Sequence, residues 1–129
     1  YDAALAMYEK AAPVLEAIGD RAGLAGVYNN IGAIHYARGD YDAALAMYEK
    51  AAPVLEAIGD RAGLATVEAN LAVLFLQQGN ESQAEAHLRR SVALFDELKL
   101  DTEEARTVRE MLRLGLEEGW ETIRLFLKN

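Results

Sequence analysis

Apolar side chains recur along this chain at three- and four-residue intervals, the spacing that collects them on one face of an α-helix. Leu24, Val27, Tyr28, Ile31, Ile34 and His35 form one such stripe, with Gly26, Asn29, Asn30, Ala33 and Ala37 opposite it. The stripe is the face expected to be buried. Turn signals divide the pattern into helices over Asp2–Ile18, Arg21–Arg38, Tyr41–Ile58, Arg61–Gln78, Glu81–Leu98 and Thr102–Glu118. Gly19 and Gly39 suit left-handed helix ends, and Asp20 and Asp40 are placed to cap the helices that follow. Asn80 with Gln83, and Asp101 with Glu104, have the spacing of a capping box. Pro13 and Pro53 fall inside helices, where each removes a backbone hydrogen bond at a cost of about 3 kcal/mol, so a kink or short break is expected there. The third helix of this kind has Ala93 instead and should run straighter.

A longer period overlies the short one. The segment YDAALAMYEKAAPVLEAIGDRAGLA, residues 1–25, returns unchanged at residues 41–65. Self-similarity at this range marks a stacked-repeat protein, in which one helical unit cannot bury its apolar face alone and its neighbours complete the core. The division that follows is an array over residues 1–118, made of a half unit 1–20, units 21–60 and 61–100, and a final helix 101–118. Residues 119–129 form an amphipathic tail or capping helix, with Trp120, Ile123 and Leu127 on one stripe. Identity over a whole helix and turn reads as recent duplication or design, and the divergence of the third unit leans toward a natural array. The chain opens at Tyr1, inside a repeat and without an initiator methionine, which reads as a piece of something longer.

The second copy carries Ala44, Tyr48, Ala51 and Leu55, an alternation of small and large residues that lets two helices pack closely. The equivalent Ala4, Tyr8 and Ala11 have no preceding helix to cover them. With Trp120, Ile123 and Leu127 at the other end, they are the candidate self-association residues, for a homodimer or a head-to-tail oligomer.

The formal net charge of −8 stands against nucleic acid and anionic membrane as partners, since both are recruited by clustered lysine and arginine. No apolar run approaches the roughly 18 residues of a membrane span, and no segment resembles a leader peptide. Without cysteine there are no disulfides or thiolate metal sites. A cytoplasmic location is the expectation.

Aligned on its period, VYNNIGAIHYARGDYDAALAMYEKAA resembles a tetratricopeptide repeat. The positions that carry the likeness are Tyr28, Ile31-Gly32, His35, Gly39-Asp40-Tyr41, Ala44, Tyr48 and Ala51. The next unit keeps the skeleton as Leu71-Ala72, Phe75, Gly79, Ala84, Leu88 and Ser91, with Glu68 in place of the large residue and Arg124 later where a small alanine belongs. A spacing of 40 is similar to the longer variant of Pins-type adaptors and kinesin light chains. The resemblance implies an all-α, right-handed superhelical array of antiparallel helix hairpins, with a concave groove that binds a protein or peptide segment.

Asn30 and Asn70 recur one period apart at the groove position where the longer-repeat relatives present asparagine to a peptide backbone. A side-chain amide both donates and accepts, which suits that task. Asn29 adjoins them. Arg106, Arg109 and Arg113 share one side of their helix, where guanidinium forks can hold an acidic partner or pair with neighbouring glutamates. No catalytic set, cofactor motif or metal-ligand spacing appears: His35 lies on the buried stripe, and His87 has no second histidine near it. A non-enzymatic interaction module is therefore the reading, and a structural self-assembly role is the alternative.

Overall fold

In the computed structural model, which describes residues 1–128, those residues form seven α-helices and no strand. They are α1 (Asp2–Ile18), α2 (Arg21–Ala37), α3 (Tyr41–Ile58), α4 (Arg61–Gln77), α5 (Glu81–Glu97), α6 (Glu103–Glu118) and α7 (Trp120–Lys128). Asn129, the end of the expected tail, lies outside the described residues.

The turns follow one rule. Gly19, Gly39, Gly59 and Gly79 all stand in the left-handed region, with φ of 75 to 78°. Directly after each of these glycines the amide reaches back to the carbonyl five residues earlier: Asp20 to Leu15, Asp40 to His35, Asp60 to Leu55 and Asn80 to Phe75, at 2.8 to 3.0 Å. That bond satisfies a carbonyl which the helix end would otherwise orphan. The fifth turn keeps the geometry without the glycine: Lys99 takes φ 56°, and the Leu100 amide bonds Phe95 at 3.0 Å. At the starts, the carboxylate or amide oxygens of Asp20, Asp40 and Asn80 accept from the amides of Gly23, Ala43 and Gln83. The last long helix departs from its predicted capping box. Thr102, not Asp101, caps it, its hydroxyl accepting from the Ala105 amide at 3.1 Å. Neither proline interrupts its helix. Pro13 and Pro53 are exposed, as are Glu9 and Glu49, whose carbonyls lose their donors, so water can serve them.

The chain divides into two compact units, Tyr1–Asp60 and Arg61 onward. In the first, α2 packs on both α1 and α3. Leu24, Val27, Ile31 and Ile34 of its predicted stripe are buried, while Tyr28 and His35 are half-buried. Opposite, α3 buries Ala44, Tyr48, Ala51 and Leu55. The closest approach is the Tyr48 ring on Gly32, where a Cβ would sit 2.6 Å from the ring's Cε1. Lys50 lies over the Tyr28 ring at 5.6 Å, and Tyr36 and Tyr41 pack with ring centres 5.6 Å apart. The sequence-identical α1 buries nothing, and an Asp2–Arg38 ion pair ties its start to the end of α2.

In the second unit, α4 packs on α5, α5 on α6, and α7 on both α6 and α4. Ala65, Ala69, Ala72, Leu88, Phe95 and Val108 belong to one buried cluster. Ser91 is fully buried and donates to the Ala65 carbonyl at 2.8 Å, which satisfies the hydroxyl inside that core. A smaller cluster joins Leu76, Ala84 and Ile123. Arg124, where the motif wants alanine, lays its guanidinium over Gly79, where a Cβ would sit 3.8 Å from Nη1, and reaches Glu121 at 3.4 Å.

Candidate functional site

The second unit has two grooves that share a wall. The first, of about 460 Å³, runs between Ala69, Asn70 and Val73 on α4 and Glu103, Glu104, Thr107, Val108 and Met111 on α6. The second, of about 530 Å³, lies between α6 and α7 and is mainly aliphatic and aromatic, with Met111, Leu114, Ile123, Phe126 and Leu127. Thr107 and Met111 line both, so a polar stretch passes into an apolar one. Local sequence dictates this placement. The Thr102 cap starts α6 one residue later than the capping-box reading, and its first turn carries two glutamates where the positive helix end favours them. Gly119, with φ 97° and ψ 148°, then turns the chain so that α7 doubles back.

Of the predicted groove residues, Asn70 is half-buried on the first groove wall. Asn29 and Asn30 lie on α2 in the first unit, half-buried and exposed respectively. The three arginines are engaged with neighbours. Arg109 donates to Asp96 at 2.9 Å and to the Leu100 carbonyl at 2.8 Å, fastening α6 to the end of α5. Arg113 pairs with Glu110 and with Glu117, the latter at 2.6 Å. The Arg113–Glu110 hydrogen bond holds the Glu110 carboxyl below its usual range, and Glu110 in turn pushes the Arg113 guanidinium up. Arg106 lies 3.9 Å from Asp101 and borders only the apolar groove. All seven arginines of the second unit have a carboxylate within 4 Å. Glu103 and Glu104 have no ion-pair partner among the described residues. The charge facing the polar groove is therefore negative, opposite to the basic lining that an acidic partner requires.

The proposed association stripe at the far end is largely used inside the chain. Ile123 is buried on Leu76 and Ala84, Trp120 and Leu127 pack beside it, and the Trp120 ring fills the space over Gly115, where a Cβ would meet it at 2.1 Å. At the other end Ala4 is exposed and Tyr8 and Ala11 are half-buried.

A polar constellation that periodicity did not reveal lies between α4 and α5. Glu68, buried in place of the motif's large residue, bonds His87 Nδ1 at 2.5 Å, the His87 ring stacks on Phe75 at 5.4 Å, and Arg90 stands 3.9 Å from Glu68. The sequence signal was Glu68 standing where the motif has a large residue, and His87 meets it from the next helix. A buried carboxylate needs such a partner. Among the described residues no group of His, Cys, Asp and Glu side chains is arranged to hold a metal, and no helix is long and apolar enough to cross a membrane.

Two overlapping stretches, residues 1–57 and 23–97, match the tetratricopeptide repeat family. A comparison with curated proteins gave no significant match. Repeats of this family are non-catalytic and generally mediate protein–protein interaction or scaffolding, and they typically take protein partners. With its period, its helical hairpins and the Gly32–Tyr48 contact as described, the chain belongs to the tetratricopeptide repeat family.

Proposed function

We propose that the chain is a scaffold module that binds a peptide segment of a partner protein in the groove between α4 and α6. The observation that carries this reading is the continuity of that groove with the apolar one between α6 and α7 through Thr107 and Met111. A segment with a large apolar residue seats it against Met111, Leu114 and Phe126. Its backbone then meets Asn70, and cationic side chains nearby meet Glu103 and Glu104. Asn30 offers the same amide chemistry in the first unit, and Arg106 lies at the rim. The partner segment is thus basic and amphipathic.

The test is fluorescence anisotropy with two labelled peptides, one placing a lysine pair beside a leucine and one with glutamates in place of the lysines. The basic peptide should bind more tightly, lose roughly tenfold with Asn70→Ala or with Glu103→Gln plus Glu104→Gln, and weaken as salt screens the carboxylates. Equal binding of both peptides, untouched by these changes, defeats the proposal.

A second reading, self-association, draws on exposed apolar side chains of α6 and α7, Leu116 at 50% and Phe126, at the mouth of the apolar groove, at 81% exposed. Light scattering of the chain and of Phe126→Ser separates the two, since only self-association makes the mass depend on concentration and on that residue.

A further inference from the structure

Hairpins α2–α3 and α4–α5 correspond at a shift of 40 residues, and they differ in chemistry where the first helix begins and the second ends. In the second unit the Arg61 guanidinium donates to the Glu97 carboxylate at 2.8 Å, tying the first residue of α4 to the last of α5. Arg21 opens α2 in the same way, but Ala57 stands in the place of Glu97. Arg21 has no ion-pair partner among the described residues. Bulk is lost beside it as well: Leu94, buried in the core of the second unit, corresponds to Val54, which is half-buried. Both of these smaller residues border a groove of about 470 Å³ in the first unit, between the ends of α1 and α3 and beside the start of α2. Leu15, Leu24, Pro53 and Val54 make most of its lining apolar, and Arg21 lines it too.

We infer that this groove is a second binding site, for a segment of a partner protein that presents one carboxylate side chain beside an aliphatic one. Such a segment supplies from outside what the second unit supplies from its own α5, an acid for the guanidinium and a leucine-sized group next to it. The two parts do different work. An exposed ion pair is weak by itself, so burial of aliphatic surface carries most of the affinity and the carboxylate sets the choice of ligand. Glu16 and Asp20 also line the groove. Asp20 is engaged as the cap of α2, accepting from the Gly23 amide at 2.9 Å. Glu56 and Asp60 precede Arg61 just as these two precede Arg21, and Arg61 pairs with Glu97 all the same. What they do is limit the ligand to a single acid, since a second one meets a carboxylate instead of a guanidinium. This site is independent of the groove between α4 and α6, which lies wholly in the second unit and selects a basic segment.

The experiment titrates the isotope-labelled full chain with three short glycine–serine peptides and follows its amide shifts by NMR. One peptide carries leucine beside glutamate, one leucine beside glutamine, and one serine beside glutamate. The first should move amides of residues 15–24 and 53–57. It should bind about fivefold more tightly than the second, and the third should bind least. Arg21→Gln should erase the preference for glutamate over glutamine. Ala57→Glu, which copies the Arg61–Glu97 pair, should erase it too by supplying the carboxylate from α3. Both positions are exposed, so the fold tolerates either change. Absence of binding by the first peptide, equal binding of the first two, or a preference that survives Arg21→Gln or Ala57→Glu overturns the inference. Shifts confined to α4, α6 and α7 overturn it as well, because the peptide then sits in the other groove.

Discussion

Tyr48 and Gly32 show how much one pair of side chains decides here. Gly32→Ala brings a Cβ to 2.6 Å from the ring, and overpacking of this kind costs about 1–3 kcal/mol. Adding Tyr48→Leu, which copies the Ala72 and Leu88 arrangement, should recover most of that loss in urea denaturation. Recovery of nothing would mean that the pair is not complementary in size. The same tyrosine sets an alkaline limit. Burial, with Tyr36 adding to it, pushes its hydroxyl from the ordinary 10.0 up to about 12. The folded state thus favours the neutral phenol. Its contribution is complete below pH 10 and is lost as pH rises toward 12, a span of roughly 2–3 kcal/mol. Tyr48→Phe should flatten stability over that interval, measured by thermal unfolding at several pH values. The alternation of Ala44, Tyr48, Ala51 and Leu55 made this contact legible, since small and large residues at helical spacing announce close packing. Lys99 was not legible, because its left-handed backbone follows from the turn that encloses it and not from its own preference. Thr102 was missed for a related reason: Asp101 and Thr102 are both good caps, and only the path of the chain chooses between them.

The helices themselves were readable almost to the residue, since glycine ends and polar caps punctuate an amphipathic pattern. Interruption at the prolines was expected and does not occur, because exposure of Pro13 and Pro53 leaves the orphaned carbonyls to water. The role of α7 was open in the sequence between a cap and a docking stripe, as periodicity shows which residues share a face but not what meets it. Its place against α4 and α6 depends on Ile123, 5% exposed beside Leu76 and Ala84. Ile123→Ala should cost about 2–4 kcal/mol and release Trp120, seen as a red shift of its fluorescence at the start of the unfolding transition. If the emission holds until global unfolding, α7 is not a separable cap. The arginine stripe of α6 was legible as a stripe, and the carboxylates that pair with it were legible only in part. Asp96, Asp101, Glu110 and Glu117 claim the guanidiniums, and Asp96 comes from a different helix, outside the reach of any count along α6.

Across the molecule, the repeat was the most legible property, since identity over 25 residues needs no structural interpretation. Which charges line a groove was not, because that depends on how helices of one unit turn against each other. The duplication also bears on how the chain reaches its fold. When α2 has formed, it has on either side of it a segment of identical sequence, α1 behind and α3 ahead, each offering the tyrosine that fits its notch. The order of synthesis presents α1 first. Sequence affinity cannot tell the two apart, so selection of the native partner falls to the turns, through the direction in which Gly19 and Gly39 send the chain. A protein that copies its own helix without change gives up discrimination by side chain, and entrusts the outcome of an early competition to chain connectivity alone.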